Sequence, residues 1–147
     1  MSLKETLNND IKTAMKAKDK ETLAVLRMIK TAVQVAEIDK KEELNAEEEL
    51  TILAREAKQR RESLAEFVKA GRDELVAKTE AEIEIVERYL PKQLSVEEVK
   101  EVIATVAEKI GATTQKEFGK LMGAVMQELK GKADGNVIKE QVKAHLG

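Results

Sequence analysis

The residues of this sequence best suited to bind an anion are lysines beside a glycine-flanked turn. Lys130 and Lys132 flank Gly131, Gly135 follows them, and Lys120 lies upstream on the preceding helical pattern. Lysine neutralises phosphates, and a turn of this kind beside a helix N-terminus presents backbone N–H donors to an anion. The pattern therefore predicts phosphate contacts at the three lysines, with both glycines keeping the backbone close. Cations beside a helix C-terminus are also favourable for purely local reasons, which leaves a structural interpretation open.

A second basic row is formed by Arg55, Lys58 and Arg61. Residues three positions apart stay within about 60° of each other around a helix, so these side chains share one face. Such a row could meet phosphates and is the alternative nucleic-acid face. Glu56 and Glu62 interleave with it, and the pattern alone favours an exposed face held by salt bridges.

Catalytic and metal chemistry find little support in the composition. The chain has no cysteine, which removes thiol nucleophiles and thiolate ligands, and its one histidine, His145, lies at the end, where a frayed helix is a poor place for a positioned base. Of the three serines, Ser2 and Ser95 are typical helix caps and Ser63 lies in a helical pattern. No phosphate-binding loop motif occurs. We expect no catalytic residue, no metal site and no cofactor.

The elements that must position the basic residues are helices. Aromatic residues make up 2% of the chain and its common residues are strong helix formers. Pro91, the only proline, is expected to end one helical block, and Ser95 with Glu98 forms a capping box that starts another. No strand pattern is present. The sequence predicts an all-α protein with a four-helix domain over residues 1–90 and a three-helix domain over residues 95–147.

Start and stop signals define the individual helices. The predicted starts are Ser2, Asp19, Asn45, Ser95, Thr114 with Glu117 as a capping box, and Asp134. The first helix is predicted to end near Ala17, and the second to end in a solvated loop over Asp39–Glu43. The later ends are predicted at Gly71, at or just before Leu90, at Gly111 and at Gly131. Gly119 and Gly123, four residues apart on one helix, would let another backbone approach closely.

Charge and hydropathy exclude several classes of protein. Charged residues make up 37% and hydrophobic residues 42%, as in soluble globular proteins, and the net charge is −2. Nucleic-acid binding would therefore need charges sorted onto one face. No segment has the apolar length of a signal peptide or a membrane span, so we expect no membrane association. Together with the absence of cysteine, this predicts a cytoplasmic location.

Three motifs also carry a resemblance to a known family. The segments Tyr89–Leu94, Phe118–Gly123 and Gly131–Gly135, in this order and spacing, resemble the YqeY family. The N-terminal pattern of that family is matched at Lys58-Gln59-Arg60, Ser63, Gly71-Arg72 and Glu80, so the resemblance covers essentially the whole chain. It is close enough to indicate a bacterial member. From about Ser95 the chain also resembles the tail of GatB, a subunit of the glutamine-dependent tRNA amidotransferase.

The resemblance implies three alternative functions, and the residues of the sequence do not distinguish among them. One is a non-catalytic helical accessory module that binds tRNA or another structured RNA. Another is a component of an amidotransferase, a carbon–nitrogen ligase with glutamine as amide donor, that is active only with partner subunits. The third is a protein–protein interaction module. Because the chain lacks a catalytic set, we expect the isolated protein to have no amidotransferase activity.

Overall fold

The structure is a computed structural model that describes residues 2–147, and all the regular structure in that range is helical. The helices are α1 (Leu3–Lys16), α2 (Lys20–Lys40), α3 (Ala46–Lys69), α4 (Asp73–Glu87), α5 (Val96–Ile110), α6 (Phe118–Leu129) and α7 (Gly135–Leu146). A short 3-10 turn, Gln115–Glu117, leads into α6. The prediction of an all-α fold, with four helices before Pro91 and three after it, is confirmed.

The chain divides into two compact units, Met1–Leu90 (unit 1) and Pro91–Gly147 (unit 2), and each has its own hydrophobic core. In unit 1, α3 packs along α4, α1 packs along α2, and α2 contacts both α3 and α4. The largest fully buried side chains of its core are Leu7, Val25, Leu26, Ile29, Val33 and Val86. Each Leu or Ile buried in this way contributes about 1.5–3 kcal/mol to stability.

In unit 2, α5, α6 and α7 all pack against one another. Val99, Ile103, Leu121, Val125, Leu129, Ile138 and Val142 form the fully buried part of its core. Leu94, just ahead of α5, packs against this core. The side chains therefore follow the apolar stripes expected from helical spacing.

Local capping sets most helix ends. Glu98 N–H donates to Ser95 Oγ at 3.2 Å, and Ser95 N–H donates to Glu98 Oε1 at 3.0 Å, which confirms the predicted capping box. The bond from the Ser95 N–H holds the pKa of the Glu98 carboxyl below its usual range. Asn45 starts α3 in the same reciprocal way. The predicted ends at Gly71 and Gly111 both adopt left-handed backbone conformations.

Two helix ends differ from the prediction. Helix α2 continues through Asp39 to Lys40 instead of ending in a loop, because the Lys40 ammonium pairs with Glu48 and Lys41 takes the left-handed capping position at φ 64°. Helix α4 ends at Glu87, somewhat earlier than the predicted end at or just before Leu90. Its last turn tightens, with Leu90 N–H donating to the Glu87 carbonyl at 3.1 Å, so the chain leaves the α conformation before the proline.

The start of α6 also differs. Thr113 N–H donates to Glu117 Oε2 at 2.9 Å, and the Thr114 hydroxyl donates to Glu117 Oε1 at 3.1 Å. The Thr114 hydroxyl therefore donates to the Glu117 carboxylate and does not accept from a backbone N–H. The predicted reciprocal capping box is wrong there. The helix begins at Phe118 after the 3-10 turn.

Candidate nucleic-acid interface

The turn that carries the predicted anion site is tied to the segment after Pro91. Gln93 Nε2 donates to the Gly131 carbonyl at 2.7 Å and to the Pro91 carbonyl at 2.9 Å. Leu94 N–H donates to the Lys132 carbonyl at 2.8 Å. We call residues 129–135 the α6–α7 turn. The bonds to the Gly131 and Lys132 carbonyls join the turn to the Pro91–Leu94 connector, and the bond to the Pro91 carbonyl orients the Gln93 side chain within that connector; sequence reasoning predicted none of them.

The two glycines of the turn differ in what the fold requires of them. Gly131 is buried and has a φ of 76°, a left-handed conformation that a side chain would strain. Gly135 is the first residue of α7, and a β-carbon there would lie 4.0 Å from Met126 Cε, an ordinary contact. Asp134 caps α7 by accepting from Asn136 N–H at 2.9 Å. The fold itself therefore requires Gly131, whereas any need for Gly135 would come from a ligand.

The predicted lysines fall into two places. Lys132 is exposed on the α6–α7 turn, and Lys130 is half-buried at its start. Lys120 is exposed in the first turn of α6, about 15 Å from Lys130 along the helix axis at a rise of ~1.5 Å per residue. Lys130 and Lys132 therefore both lie on the α6–α7 turn, and Lys120 lies at the other end of α6.

A shallow strip of surface lies between these ends. Gly119, Gly123 and Met126 follow one stripe of α6 and all three are exposed. A β-carbon added at either of these glycines would meet nothing within 4 Å. We call this strip, with Lys120 and Lys130 at its ends, the α6 face. The glycine spacing signalled it in the sequence, whereas the exposure of Met126 was not predicted.

The alternative basic face is only partly available. Arg55 and Lys58 are exposed on α3, but Arg61 Nη2 donates to Glu87 Oε1 at 2.9 Å and is half-buried. The neighbouring Arg60 is buried and does not belong to a solvent-facing surface. Of the three predicted cations, Arg55 and Lys58 therefore face solvent, and no carboxylate of the described residues neutralises either of them.

Other reactive groups are dispersed. His145 and Ser63 are exposed, and Ser2 and Ser95 cap α1 and α5. Within residues 2–147, no group of three or more His, Cys, Asp or Glu side chains could hold a metal ion. No helix in the same range is both long and apolar enough to cross a membrane.

Comparison with known proteins identifies one family and several fungal relatives that share one name. The family model described as Yqey-like protein matches residues 4–146. The chain is 32% identical over 139 residues to "Altered inheritance of mitochondria protein 41, mitochondrial" of Kluyveromyces lactis, covering 94% of this chain and 72% of that protein. The proteins of the same name in Candida glabrata and Pyrenophora tritici-repentis are 28% and 26% identical, and the matches cover 95% and 96% of this chain and 75% and 79% of those proteins.

These relatives correct two expectations. The prediction of a cytoplasmic location is wrong, because the relatives are named as mitochondrial proteins. A cysteine-free helical chain suits any reducing aqueous compartment, so composition could not distinguish one from another. The indication of a bacterial member is not supported either, since these relatives are fungal.

Proposed function

The chain belongs to the YqeY family, and from that premise we propose that it is a non-catalytic helical accessory module that binds tRNA or another structured RNA. The observation that carries this proposal is the α6–α7 turn, which is held by the connector and presents Lys132 to solvent beside Lys130. The resemblance to the tail of GatB, which the sequence motifs from about Ser95 suggest, favours the same place.

The physical argument rests on preorganisation. A turn held to the connector by two hydrogen bonds loses little conformational freedom when it binds, so more of each lysine–phosphate contact remains as affinity. The glycines of the α6 face leave room for a sugar–phosphate backbone to approach the helix. Lys120 then supplies a second contact at the far end of the face.

The mode of recognition follows from the few aromatic residues. The chain has two phenylalanines, one tyrosine and no tryptophan. Phe118 packs against the core of unit 2, Tyr89 packs against that of unit 1, and Phe67 is half-buried on α3. Stacking on unpaired bases is therefore a minor contribution, and we expect the protein to recognise the shape and backbone of folded RNA.

The test is a titration of folded tRNA at several salt concentrations with the double variant Lys130→Ala/Lys132→Ala. Each lysine that contacts a phosphate contributes about 0.7–0.9 to the slope of log K against log salt. The double variant should therefore bind more weakly and lose up to about two units of slope. The matched control is Lys139→Ala/Lys143→Ala, which removes two exposed lysines of α7 in the same unit.

Three results decide the proposal. A weaker, shallower salt dependence in the turn variant but not in the α7 variant supports it. Unchanged binding by the turn variant, with loss in Arg55→Ala/Lys58→Ala, would move the site to α3. If the unmodified protein binds no structured RNA at low salt, the RNA proposal fails.

A further inference from the structure

Helix α2 carries an apolar stripe on the side that faces solvent. Met28, Val35 and Ile38 are 56%, 53% and 73% exposed, although all three are large hydrophobic residues. Ala24 and Thr31, also exposed, complete the row. We call these five residues the α2 stripe. Single exposed hydrophobic residues are common on protein surfaces, but several on one helix face mark an interaction surface.

The spacing of the stripe is that of a helix-pairing seam. From Ala24 to Ile38 the steps are four, three, four and three residues, the alternation that keeps side chains facing a partner helix. The opposite side of α2, with Val25, Leu26, Ile29 and Val33, is already buried in the core of unit 1. Helix α2 is therefore apolar on two sides, and among the described residues the second side remains largely exposed, with Met28 Sδ 3.5 Å from Arg60 Nη2 at its edge.

Charge is distributed unequally between the two ends of α2. Residues 12–20, which run from the last turn of α1 to the first residue of α2, contain four lysines and one aspartate. Residues 37–49, which run from the last turn of α2 into the first turn of α3, contain seven carboxylates and two lysines. Glu37 pairs with Lys4, and Glu42 and Glu48 pair with Lys40, so the remaining carboxylates carry most of the net negative charge there. The two regions are separated by the length of α2, about 30 Å.

We propose that the α2 stripe pairs with the α2 stripe of a second copy of this chain, with the two helices antiparallel. A two-fold axis near Thr31 places the basic start of each helix beside the acidic end of the other, so the charge attraction is made twice. It also sets the small Ala24 opposite the larger Ile38, and Met28 opposite Val35. A parallel pair would instead place like charges side by side.

The small number of residues in the α2 stripe limits the strength of the dimer. One helix from each copy contributes five residues, far fewer than the roughly 20–30 residues a side of a standard interface, so the dimer is expected to be weak and transient. We expect association only at high protein concentration, and we expect it to weaken as salt rises. The α2 stripe lies in unit 1 and the proposed RNA site lies in unit 2, so separate experiments test the two proposals.

Disulfide trapping tests the arrangement directly, since the chain contains no cysteine of its own. In an antiparallel pair Thr31→Cys lies beside its own counterpart and should form a covalent dimer on mild oxidation. Ala24→Cys and Ile38→Cys should each fail alone, because their counterparts are about 20 Å away, well beyond the roughly 7 Å limit between bridged Cα atoms. Mixed together, these two variants should cross-link. Ala65→Cys, exposed on α3, is the control for random collision.

Sedimentation provides a second readout with a matched pair of substitutions. Val35 and Val68 are 53% and 59% exposed on different helices, so neither Val→Glu change should unfold the protein. We expect Val35→Glu to lower dimer affinity at least tenfold and Val68→Glu to leave it unchanged. A chain that stays monomeric at high concentration would overturn the proposal, as would self-cross-linking by Ala24→Cys, which indicates a parallel pair.

Discussion

Replacing Arg60 by methionine is expected to destabilise unit 1 strongly. Arg60 is 7% exposed, and its guanidinium joins three helices. Nη1 donates to the Glu56 carboxylate at 3.2 Å and carbonyl at 3.1 Å, and Nε donates to Glu82 Oε1 at 3.2 Å. Nη2 lies 3.5 Å from Met28 Sδ on α2. Methionine keeps much of the apolar packing and removes the charge and all the donors.

The size of the effect follows from the two carboxylates that lose their partner. Removing one member of a buried ion pair costs about 3–5 kcal/mol, because the remaining charge is left without compensation. Glu82 retains some contact with water, so we take the lower end, about 3 kcal/mol. For a unit of this size, a loss of 1 kcal/mol lowers the melting temperature by about 4–8 °C, which gives a fall of about 12–24 °C.

The neighbouring Arg61 provides the control. It makes one ion pair, with Glu87, and its side chain is 26% exposed, so Arg61→Met should cost less than about 1 kcal/mol. Urea unfolding followed by helical circular dichroism measures both variants. The triple change Arg60→Met/Glu56→Gln/Glu82→Gln should recover much of the loss, because it removes the stranded charges.

The Arg60 and Arg61 variants together show whether burial of the charge causes the loss of stability. If Arg60→Met and Arg61→Met shift the unfolding midpoint equally, burial is not what gives Arg60 its importance. If the triple variant is no more stable than Arg60→Met, the cost comes from lost packing and not from uncompensated charge.

Two further predictions concern the segment around the proline. Burial and the hydrogen bond to Asp10 raise the pKa of the Tyr89 phenol, so its contribution to stability is complete below the unfolded pKa of about 10 and is lost as pH rises further. Tyr89→Phe should flatten this alkaline loss; because Tyr89 is the only tyrosine, its phenolate absorbance reports the titration, and an ordinary midpoint in the folded protein would contradict the assignment. Gln93→Glu turns a carboxylate toward the Gly131 carbonyl in place of the amide donor, and should destabilise unit 2 by about 1–3 kcal/mol in urea unfolding. An unchanged midpoint would show that this bond does not hold the turn.

The candidate site was predictable in its residues but not in its arrangement. Lys130, Gly131 and Lys132 are adjacent in sequence, so their proximity needs no fold to establish it. The attachment of that turn to Gln93 joins residues far apart in the chain and leaves no local signal. The separation of Lys120 from the turn is a consequence of the length of α6.

The sequence by itself determined which segments are helical and where most of them begin and end. Capping residues such as Asn45 and Ser95 act on backbone groups three positions away, so their effect is encoded within one turn. Only the tertiary structure decided which cations face solvent. Arg60 and Arg61 are adjacent residues of the same type, yet Arg60 is buried between helices and Arg61 is half-exposed. The difference arises because burial depends on which neighbours packing brings to a helix face. The same holds for the α2 stripe, whose exposure follows from α1, α3 and α4 covering the other side of that helix.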